Sequence, residues 1–210
     1  MTEVDLPQGA RDLARATRAR EFDAEYASTP PWDIGRPQQA FQRLADTGQL
    51  RGRVLDVGCG TGEHALMAAR LGLETTGIDT APTAISIARR KTQERGLTVA
   101  FLVADALELA ALGTAFETVL DCGLFHIFDD DDRPRYVDSL RAAIRPGGRF
   151  HMLCFSDREP GDWGPRRVHP EEIEAAFSDG WLVDSIEADT LEVTITDAGV
   201  AAWLASITRA

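Results

Sequence analysis

Three glycines stand where a short apolar run gives way to a helical pattern, in the segment LDVGCGTGEHAL. Gly58, Gly60 and Gly62 leave the backbone N–H groups of this turn open to close approach by a ligand. The dinucleotide-binding fingerprint G-x-G-x-x-G requires its third glycine at position 63, where this chain has Glu63. Because a carboxylate there would crowd and repel a diphosphate, the loop predicts a ligand without phosphates, such as an amino-acid tail beside a cation.

Acidic residues end the next two apolar runs. Asp79 closes the segment GID, and Asp105 closes VAD and is followed by Ala106. A carboxylate at the first position suits ribose hydroxyls, and one at the second can accept a hydrogen bond from an adenine amino group. For either acid alone, capping of a helix is an equally good interpretation. The ordered set, taken with the glycine loop, indicates S-adenosylmethionine as the cofactor.

Residues 121–126 and 154–157 follow the fourth and fifth apolar runs, and we expect both segments to face the transferred methyl group. His126 is the candidate general base, because a neutral imidazole could take a proton from a phenolic or N-hydroxyl acceptor. The alternative is a loop histidine whose ring is satisfied by a backbone group. The chemistry does not require a base, since sulfonium is a good leaving group and positioning with exclusion of water can suffice.

The run FDDDDRPRY places four consecutive acids, Asp129 to Asp132, just before Pro134. Consecutive side chains point in different directions, which is a poor arrangement for a metal site. Acids at the first turn of a helix are stabilised by the helix dipole, and proline suits that turn. We therefore interpret the run as the beginning of a helix and predict no metal.

Short apolar runs alternate with helical patterns of ten or more residues along most of the chain. This alternation predicts parallel strands joined by right-handed helical crossovers. The fold class is therefore α/β: a doubly wound, mostly parallel seven-stranded sheet with one antiparallel strand and an N-terminal helical cap. The predicted strands are 53–58, 74–79, 98–105, 116–123, 149–157, 181–188 and 191–196, and the predicted helices are 10–27, 37–48, 61–72, 81–96, 133–148, 171–177 and 198–207.

The bulk composition limits the classes of partner. A chain of 210 residues predicts a single domain, 1–210, with residues 1–50 as the cap and 51–210 as the core. The formal net charge of -12 argues against nucleic acid and anionic membrane surfaces. We see neither a membrane span nor a secretory signal in the charged N-terminus. Three widely spaced cysteines, Cys59, Cys122 and Cys154, favour a reducing cytoplasm over a disulfide framework or a zinc site. We expect a cytoplasmic monomer or homodimer that acts on a small molecule.

The motifs LDVGCGTG, GID and VAD resemble those of the class I S-adenosylmethionine-dependent methyltransferases, and residues 52–156 would form that family's Rossmann-like core. The resemblance implies that Gly58 and Gly60 line the methionine portion of the cofactor. It also implies that Asp79 holds the ribose, and Asp105 with Ala106 the adenine. The full set of cofactor-binding candidates is Trp32, Asp56, Gly58, Cys59, Gly60, Asp79, Thr80, Asp105, Ala106 and Asp121.

The proline-flanked segment PPWDIGRPQ presents Trp32 on a stiff loop before the first strand. Such a loop could cover a flat cationic cofactor, with attraction between the indole face and the sulfonium, or it could simply anchor the cap to the core. Together with LDCGLFH, HMLCFSD and GPRRV, this segment resembles the thiol, halide and thiopurine methyltransferase branch, and most of all its bacterial heterocyclic toxin methyltransferases. The resemblance implies that Trp32 lies against the cofactor and that the acceptor is a hydroxyquinolone-type compound.

These inferences predict methyl transfer to an oxygen, or a nitrogen, of a small aromatic heterocycle. Thiol, thiopurine or halide acceptors are the alternative within the family. A non-catalytic S-adenosylmethionine-binding domain and a nicotinamide-dependent oxidoreductase, which Glu63 disfavours, are the alternatives from other classes. The candidates for an aromatic acceptor pocket are Phe22, Tyr26, Phe125, Phe155 and Trp163.

Overall fold

A computed structural model describes residues 8–210 of the chain. Six α-helices and seven strands alternate through most of these residues, and residues 1–7 of the predicted cap lie outside them. The helices are α1 (Gln8–Glu25), α2 (Gln39–Asp46), α3 (Glu63–Arg70), α4 (Pro82–Glu94), α5 (Asp132–Ala143) and α6 (Pro170–Ala176). The strands are β1 (Val54–Val57), β2 (Thr75–Asp79), β3 (Ala100–Val103), β4 (Phe116–Cys122), β5 (Ile144–Phe155), β6 (Trp181–Val193) and β7 (Thr196–Arg209).

All seven strands form one sheet in the order β3-β2-β1-β4-β5-β7-β6. The first five strands are mutually parallel, and β7 runs antiparallel to both of its neighbours, β5 and β6. The predicted doubly wound, mostly parallel sheet with one reversed strand is therefore confirmed. The order reverses between β1 and β4, and in open α/β sheets ligands bind beyond the carboxyl ends of the strands at such a switch point.

Each face of the sheet carries its own apolar core. On one face, Tyr136 from α5 packs with Phe150 and Phe177, and all three are fully buried. On the other face, Phe41 from α2 belongs to the cluster that contains Leu120 of β4. All four residues of β1 are buried. A strand covered on both faces reads as a continuous apolar run, which is why β1 was recognisable in the sequence.

The C-terminal region differs from the sequence-based prediction. Residues 198–207 were predicted to form a closing helix, but they belong to β7, and β6 continues through Val193 where a turn was expected. The two strands pair along most of their length, with a register irregularity between Leu191 and Val193. Gly199 lies there with a φ of +67°, and a Cβ on it would stand 2.4 Å from Thr190 Cγ2. Close strand approach at this irregularity therefore requires glycine.

The described part of the cap is held to the core by specific polar contacts. Asp23 of α1 accepts a hydrogen bond of 2.8 Å from the backbone N–H of Thr83, in the first turn of α4. The Gln38 side chain donates to the carbonyl of Glu192, in β6, at 2.9 Å. None of the helices formed by residues 8–210 is long and apolar enough to cross a membrane.

Candidate active site

A cavity of about 970 Å³ opens at the carboxyl ends of β1, β2, β4 and β5, beneath α1 and the loop that carries Trp32. Twelve of the sixteen residues predicted for the site line it. These are Phe22, Tyr26, Trp32, Gly58, Cys59, Gly60, Asp79, Thr80, Ala106, His126, Phe155 and Trp163. The wall thus unites residues from both predicted sets, the cofactor set and the acceptor set.

The glycine loop and Asp79 form one hydrogen-bonded unit. Asp79 Oδ2 accepts from the Gly60 N–H at 2.8 Å, and Oδ1 accepts from the Ala81 N–H at 2.9 Å. Burial raises the pKa of Asp79, while these backbone N–H groups oppose the rise. Gly58, Gly60 and Gly62 all have positive φ values. The strand tip therefore presents a carboxylate whose position is fixed by the loop itself.

The role of Glu63 differs from the one inferred from sequence. Its carboxylate, which is only 7% exposed, accepts from Lys91 Nζ at 2.9 Å and from both terminal nitrogens of Arg95 at 2.7 Å. These cations lower the pKa of Glu63 against the effect of burial. Lys91 of α4 and Arg95, the residue that follows α4, compensate the charge of Glu63. Glu63 therefore does not act as an uncompensated negative charge against a diphosphate. The N–H groups of Cys59, Gly60 and Gly62 are already bonded, to the Ile78 carbonyl, the Asp79 carboxylate and the Cys59 carbonyl, and are therefore unavailable to a phosphate.

Three of the predicted cofactor contacts, Asp56, Asp105 and Asp121, do not line the cavity. Asp121 is fully buried: Oδ1 accepts from the Leu124 N–H at 2.8 Å, and Oδ2 accepts from the Tyr136 hydroxyl at 2.9 Å. Burial raises the pKa of Asp121 to about 7. Its carboxylate shapes the loop after β4 and does not reach the cavity.

Asp56 and Asp105 also serve local structure. Asp56 Oδ2 accepts from the Ala65 N–H at 2.9 Å, Oδ1 is buried without a partner, and burial raises the pKa of Asp56 to about 8. Asp105 accepts from the Leu107 N–H at 2.9 Å, which caps a 3₁₀ helix over residues 106–112, and lies 3.8 Å from Arg15. The capping alternative describes Asp105, whereas Asp79 bonds the N–H of Ala81, just before α4, and lines the cavity.

His126 lies in the cavity wall at the carboxyl end of β4. Its Nδ1 accepts a hydrogen bond of 2.9 Å from the Phe155 N–H, and its ring meets the Phe155 ring edge-on at 4.9 Å. Burial, with Arg133 and Arg167 nearby, lowers the pKa of His126 to about 3. The ring is therefore neutral, with its proton on Nε2, since the accepting nitrogen cannot also carry it. Nδ1, the nitrogen that a general base would use, is already occupied.

Aromatic rings form part of the cavity wall. Phe155 and Trp163 meet edge-on at 5.8 Å, and the Arg167 guanidinium lies 5.2 Å from the first ring and 5.5 Å from the second. Across the opening, Phe22 meets Trp32 edge-on at 6.1 Å. These flat apolar surfaces suit a planar ring system.

Phe125 is the remaining predicted residue that does not line the cavity. It is fully buried in the core, where its ring packs on Phe177 at 6.0 Å and beneath the Arg133 guanidinium at 4.6 Å. Its neighbour His126 lines the wall instead. Adjacent residues on this short turn point to opposite sides, so Phe125 packs in the core and is not part of the cavity wall.

Several wall residues were not anticipated. His64 follows Glu63 directly, so the histidine beside the fingerprint was a visible signal that the sequence reasoning passed over. Leu191 and Val193 lie at the end of β6 and Ile195 in the turn to β7, and the sequence does not predict that this hairpin reaches the cavity. The others not anticipated include Arg18, Ile34, Arg36, Gln38 and Thr61, whereas Leu124 lies within the segment 121–126 that was expected to face the site.

The charge of the wall favours a cationic ligand. Among the described lining residues, carboxylates outnumber guanidinium groups even without Glu63, whose charge Lys91 and Arg95 compensate: the other acids are Glu21, Glu25, Asp33, Asp79 and Asp129, and the bases are Arg18, Arg36 and Arg166. Arg36 is further compensated by Glu192 at 2.8 Å. A low-dielectric cleft of one prevailing sign concentrates ligands of the opposite sign.

The run of acids after Phe128 has structural partners. Asp129 Oδ1 accepts from the Asp132 N–H at 2.9 Å as α5 begins. Asp130 forms an ion pair with Arg166, and Asp132 lies 3.0 Å from Arg135. These contacts support the interpretation of the run as a helix beginning.

Comparison with known proteins identifies the core. Residues 54–148 match a family model described as a methyltransferase domain. The chain is 35% identical over 184 residues to 2-heptyl-1-hydroxyquinolin-4(1H)-one methyltransferase of Mycobacteroides abscessus, which covers 86% of this chain and 81% of that relative.

Two solved structures extend the likeness to the whole fold. One comes from work on the conversion of a disulfide bond into a thioacetal group during echinomycin biosynthesis. It is 39% identical to this chain with a TM-score of 0.84, and the match covers 91% of this chain and 92% of the chain in that structure. The other is 1,6-didemethyltoxoflavin-N1-methyltransferase of Burkholderia thailandensis with its substrate and S-adenosylhomocysteine bound. It is 22% identical with a TM-score of 0.74 and covers 98% of this chain and 93% of its own, a likeness of fold.

Proposed function

Because the chain belongs to the class I S-adenosylmethionine-dependent methyltransferases, we propose that it methylates an oxygen, or a nitrogen, of a small aromatic heterocycle such as a hydroxyquinolone. That the chain is a small-molecule methyltransferase with S-adenosylmethionine as cofactor follows from its family. The acceptor and the methylated atom are the proposal. The observation that carries it is the 35% identity to a hydroxyquinolone methyltransferase over most of both chains.

The wall residues fit the cofactor. Asp79 and Thr80 would hold the ribose, Ala106 would border the adenine, and Gly58 and Gly60 would line the methionine portion. A Cβ on Gly60 would stand 2.9 Å from Tyr26 Oη, so this cradle has no space for a larger residue. S-adenosylmethionine supplies an activated methyl group on a positively charged sulfur, and the excess of wall carboxylates suits that charge.

Trp32 would cover the cofactor on the solvent side. Its indole is fixed by the hydrogen bond from Nε1 to Tyr26 and by edge-on contacts with Phe22 and Tyr26. The side chain is still 41% exposed, which leaves ring surface available to a ligand. These contacts are with Phe22 and Tyr26, which belong to the cap itself, so they order the loop beside the cavity and support the covering role for Trp32.

His126 would act on the acceptor as a hydrogen-bond donor, in place of the general-base role inferred from sequence. Its neutral ring offers Nε2–H, and its Nδ1 is occupied by the Phe155 N–H. An N–H donor stabilises an oxygen that enters as the anion, or an adjacent carbonyl. The acceptor would then lose its proton before binding, and the enzyme would contribute alignment and exclusion of water.

A comparison of turnover with three classes of acceptor tests the proposal. The purified protein is incubated with S-adenosylmethionine and, in separate reactions, a 1-hydroxy-4-quinolone, a thiophenol and iodide, and methylated products are identified by mass spectrometry. We expect kcat/KM to be highest for the hydroxyquinolone, with the added methyl on oxygen. Turnover of the thiol or iodide alone would contradict the choice of acceptor, and cofactor binding without turnover of any acceptor would favour a non-catalytic domain.

A sulfur acceptor is the second candidate. It is favoured by the 39% identity to the solved structure described under the disulfide-to-thioacetal conversion. The thiophenol reaction decides between the two. A small-molecule partner, a cytoplasmic location and a monomeric or homodimeric state, as expected from the sequence, complete the proposal.

A further inference from the structure

His64 has none of the roles assigned so far to the residues of the cavity wall. It is the second residue of α3, directly after the glycine loop, and its ring meets the Phe41 ring edge-on at 4.8 Å. His64 Nε2 accepts a hydrogen bond of 3.1 Å from the backbone N–H of Gln38, in the cap. The same side chain lines the cavity.

This contact determines which ring nitrogen carries the proton. A nitrogen that accepts a hydrogen bond is unprotonated, so in the neutral ring Nδ1 carries the proton and is a donor. Burial lowers the pKa of His64 to about 4, which keeps the ring neutral near pH 7. Nδ1 has no hydrogen-bond partner among residues 8–210. It is also not one of the fully buried polar atoms that lack a partner in that part of the chain, so a ligand can reach it. His64 thus offers an unused N–H.

The position of His64 indicates what this donor meets. Asp79, Thr80 and Ala106 line one part of the cavity, after β2 and β3, and would hold the nucleoside. The glycine loop, Trp32 and His64 belong to β1, its following helix and the cap, where the amino-acid portion would lie. A carboxylate there needs donors, yet the Gly60 N–H is bonded to Asp79 and Arg36 is paired with Glu192.

We propose that His64 Nδ1–H binds the carboxylate of the methionine portion of S-adenosylmethionine. This inference rests on the proposed orientation of the cofactor and adds a binding residue that the family motifs did not supply. The hydrogen bond is neutral on the protein side and charged on the ligand side, a combination that gives a strong interaction without adding a cation beside the sulfonium.

The same contact connects the cap to cofactor binding. The Gln38 side chain donates to the Glu192 carbonyl at 2.9 Å and accepts from the Glu192 N–H at 2.8 Å, and the Gln38 backbone N–H holds His64. The residue that bonds His64 is therefore itself clamped to β6. A ring held in this way is preorganised, so little side-chain entropy is lost when the ligand binds.

Calorimetry with two ligands tests the assignment. The probes are S-adenosylhomocysteine and its decarboxylated analogue, which lacks only the carboxylate. We expect H64F to weaken S-adenosylhomocysteine about 10- to 100-fold, the range for a charge-assisted hydrogen bond, and to leave the affinity for the analogue unchanged. In H64N, whose amide nitrogen can replace Nδ1, we expect partial recovery.

The variant Q38A is the matched control. It removes the side-chain clamp to Glu192 but keeps the backbone N–H that bonds His64, so any loosening of the cap should affect both ligands alike. Equal weakening of both ligands by H64F, or no weakening, would overturn the proposal. Should H64F fail to fold, the comparison of the two ligands in H64N decides: a selective loss supports the proposal, and an equal loss overturns it. Failure of the wild-type protein to bind S-adenosylhomocysteine would instead contradict the cofactor site itself.

Discussion

Two histidines in the cavity wall have the same hydrogen-bonding arrangement. In each, a backbone N–H occupies one ring nitrogen: Gln38 bonds His64, and Phe155 bonds His126. Burial lowers the pKa of His64 to about 4 and of His126 to about 3. Both rings are therefore neutral donors across the physiological range, and neither is set up to remove a proton. At the scale of single residues we therefore expect the site to work by positioning and not by proton transfer.

The pH dependence of turnover should therefore follow the ionisation of the acceptor and not that of His126. For a series of hydroxylated heterocycles, we expect kcat/KM to rise with pH up to the pKa of each acceptor and then level off. His126 titrates at about pH 3 and so stays neutral over the measured range. Steady-state rates between pH 5.5 and 9 provide the measurement.

His126 variants separate a donor from a base. We expect H126F to lower kcat about 10- to 100-fold for weakly and strongly acidic acceptors alike, and H126Q, which restores an N–H near the position of Nε2, to recover part of the loss. A base would instead give a loss that shrinks as the acceptor becomes more acidic. An inflection at one fixed pH for all acceptors that disappears in H126F would refute the donor role.

Asp79 should control cofactor affinity through two effects. D79A removes the charged acceptor proposed for the ribose hydroxyls, and it also frees the Gly60 and Ala81 N–H groups that the carboxylate now holds. We expect a loss of roughly 1.5–3 kcal/mol of binding free energy for S-adenosylhomocysteine by calorimetry. D79N retains an acceptor and should lose less. Near-native affinity in D79A would mean that the ribose lies elsewhere.

At the scale of elements, the turn from β1 to α3 depends on glycine for two separate reasons. Gly62 has a φ of +87°, and a Cβ on it would stand 2.5 Å from Phe101 Cζ and 3.0 Å from the Ala88 side chain. Gly72, after α3, has a φ of +79° but no atom within 4 Å of such a Cβ. The first site combines backbone strain with steric conflict, and the second has strain alone.

Alanine at these two positions separates the contributions. We expect G72A to cost about 1 kcal/mol of unfolding free energy, because alanine disfavours positive φ. We expect G62A to cost about 1–3 kcal/mol more, because Phe101 and Ala88 must shift. Urea unfolding of both variants and the wild type is the measurement. Equal losses would show that Phe101 moves aside without cost.

Much of the fold was accessible from sequence because β1, β4 and the part of β5 from Phe150 onward are apolar runs separated by clear helical patterns. The exception is β7. Its residues from Val200 onward are rich in alanine and almost continuously buried, so they show neither the alternation of a half-exposed strand nor a decisive length. Pairing with strands on both sides overrides the helical propensity of alanine, and such long-range pairing leaves no local signal.

The candidate site also has features that a local sequence signal predicts and features that depend on long-range packing. Glycines and acids at strand ends were predictable because their positions follow from the motif and the topology. Which side of a short turn faces the cavity was not: His126 lines it, whereas the adjacent Phe125 and the nearby Asp121 are buried behind it. That choice depends on packing against α5 and α6, which only the assembled sheet determines.

On the scale of the whole molecule, buried ionisable groups set opposite dependences of stability on pH. Three histidines, His64, His126 and His151, have pKa values lowered from 6.5 to about 4, 3 and 4 by burial. The unfolded chain binds more protons at these groups, so stability rises as pH increases to about 6.5. Asp56 and Asp121 have pKa values raised from 3.8 to about 8 and 7. There the folded chain binds more protons, so stability falls as pH rises through that window.

Above pH 6.5 the histidine contribution is complete, and only the buried carboxyls still act. We therefore expect the free energy of unfolding of the ligand-free protein to fall between pH 6.5 and 8, by up to about 1.4 kcal/mol per pH unit for each carboxyl that still differs in protonation. D56N, which resembles the protonated acid, should flatten this decline, whereas D138N, at an exposed carboxylate on α5, should not. Urea unfolding at half-unit intervals measures both. If the free energy of unfolding falls as steeply in D56N as in the wild type, Asp56 is already ionised in the folded protein, and its buried oxygen has a hydrogen-bond partner.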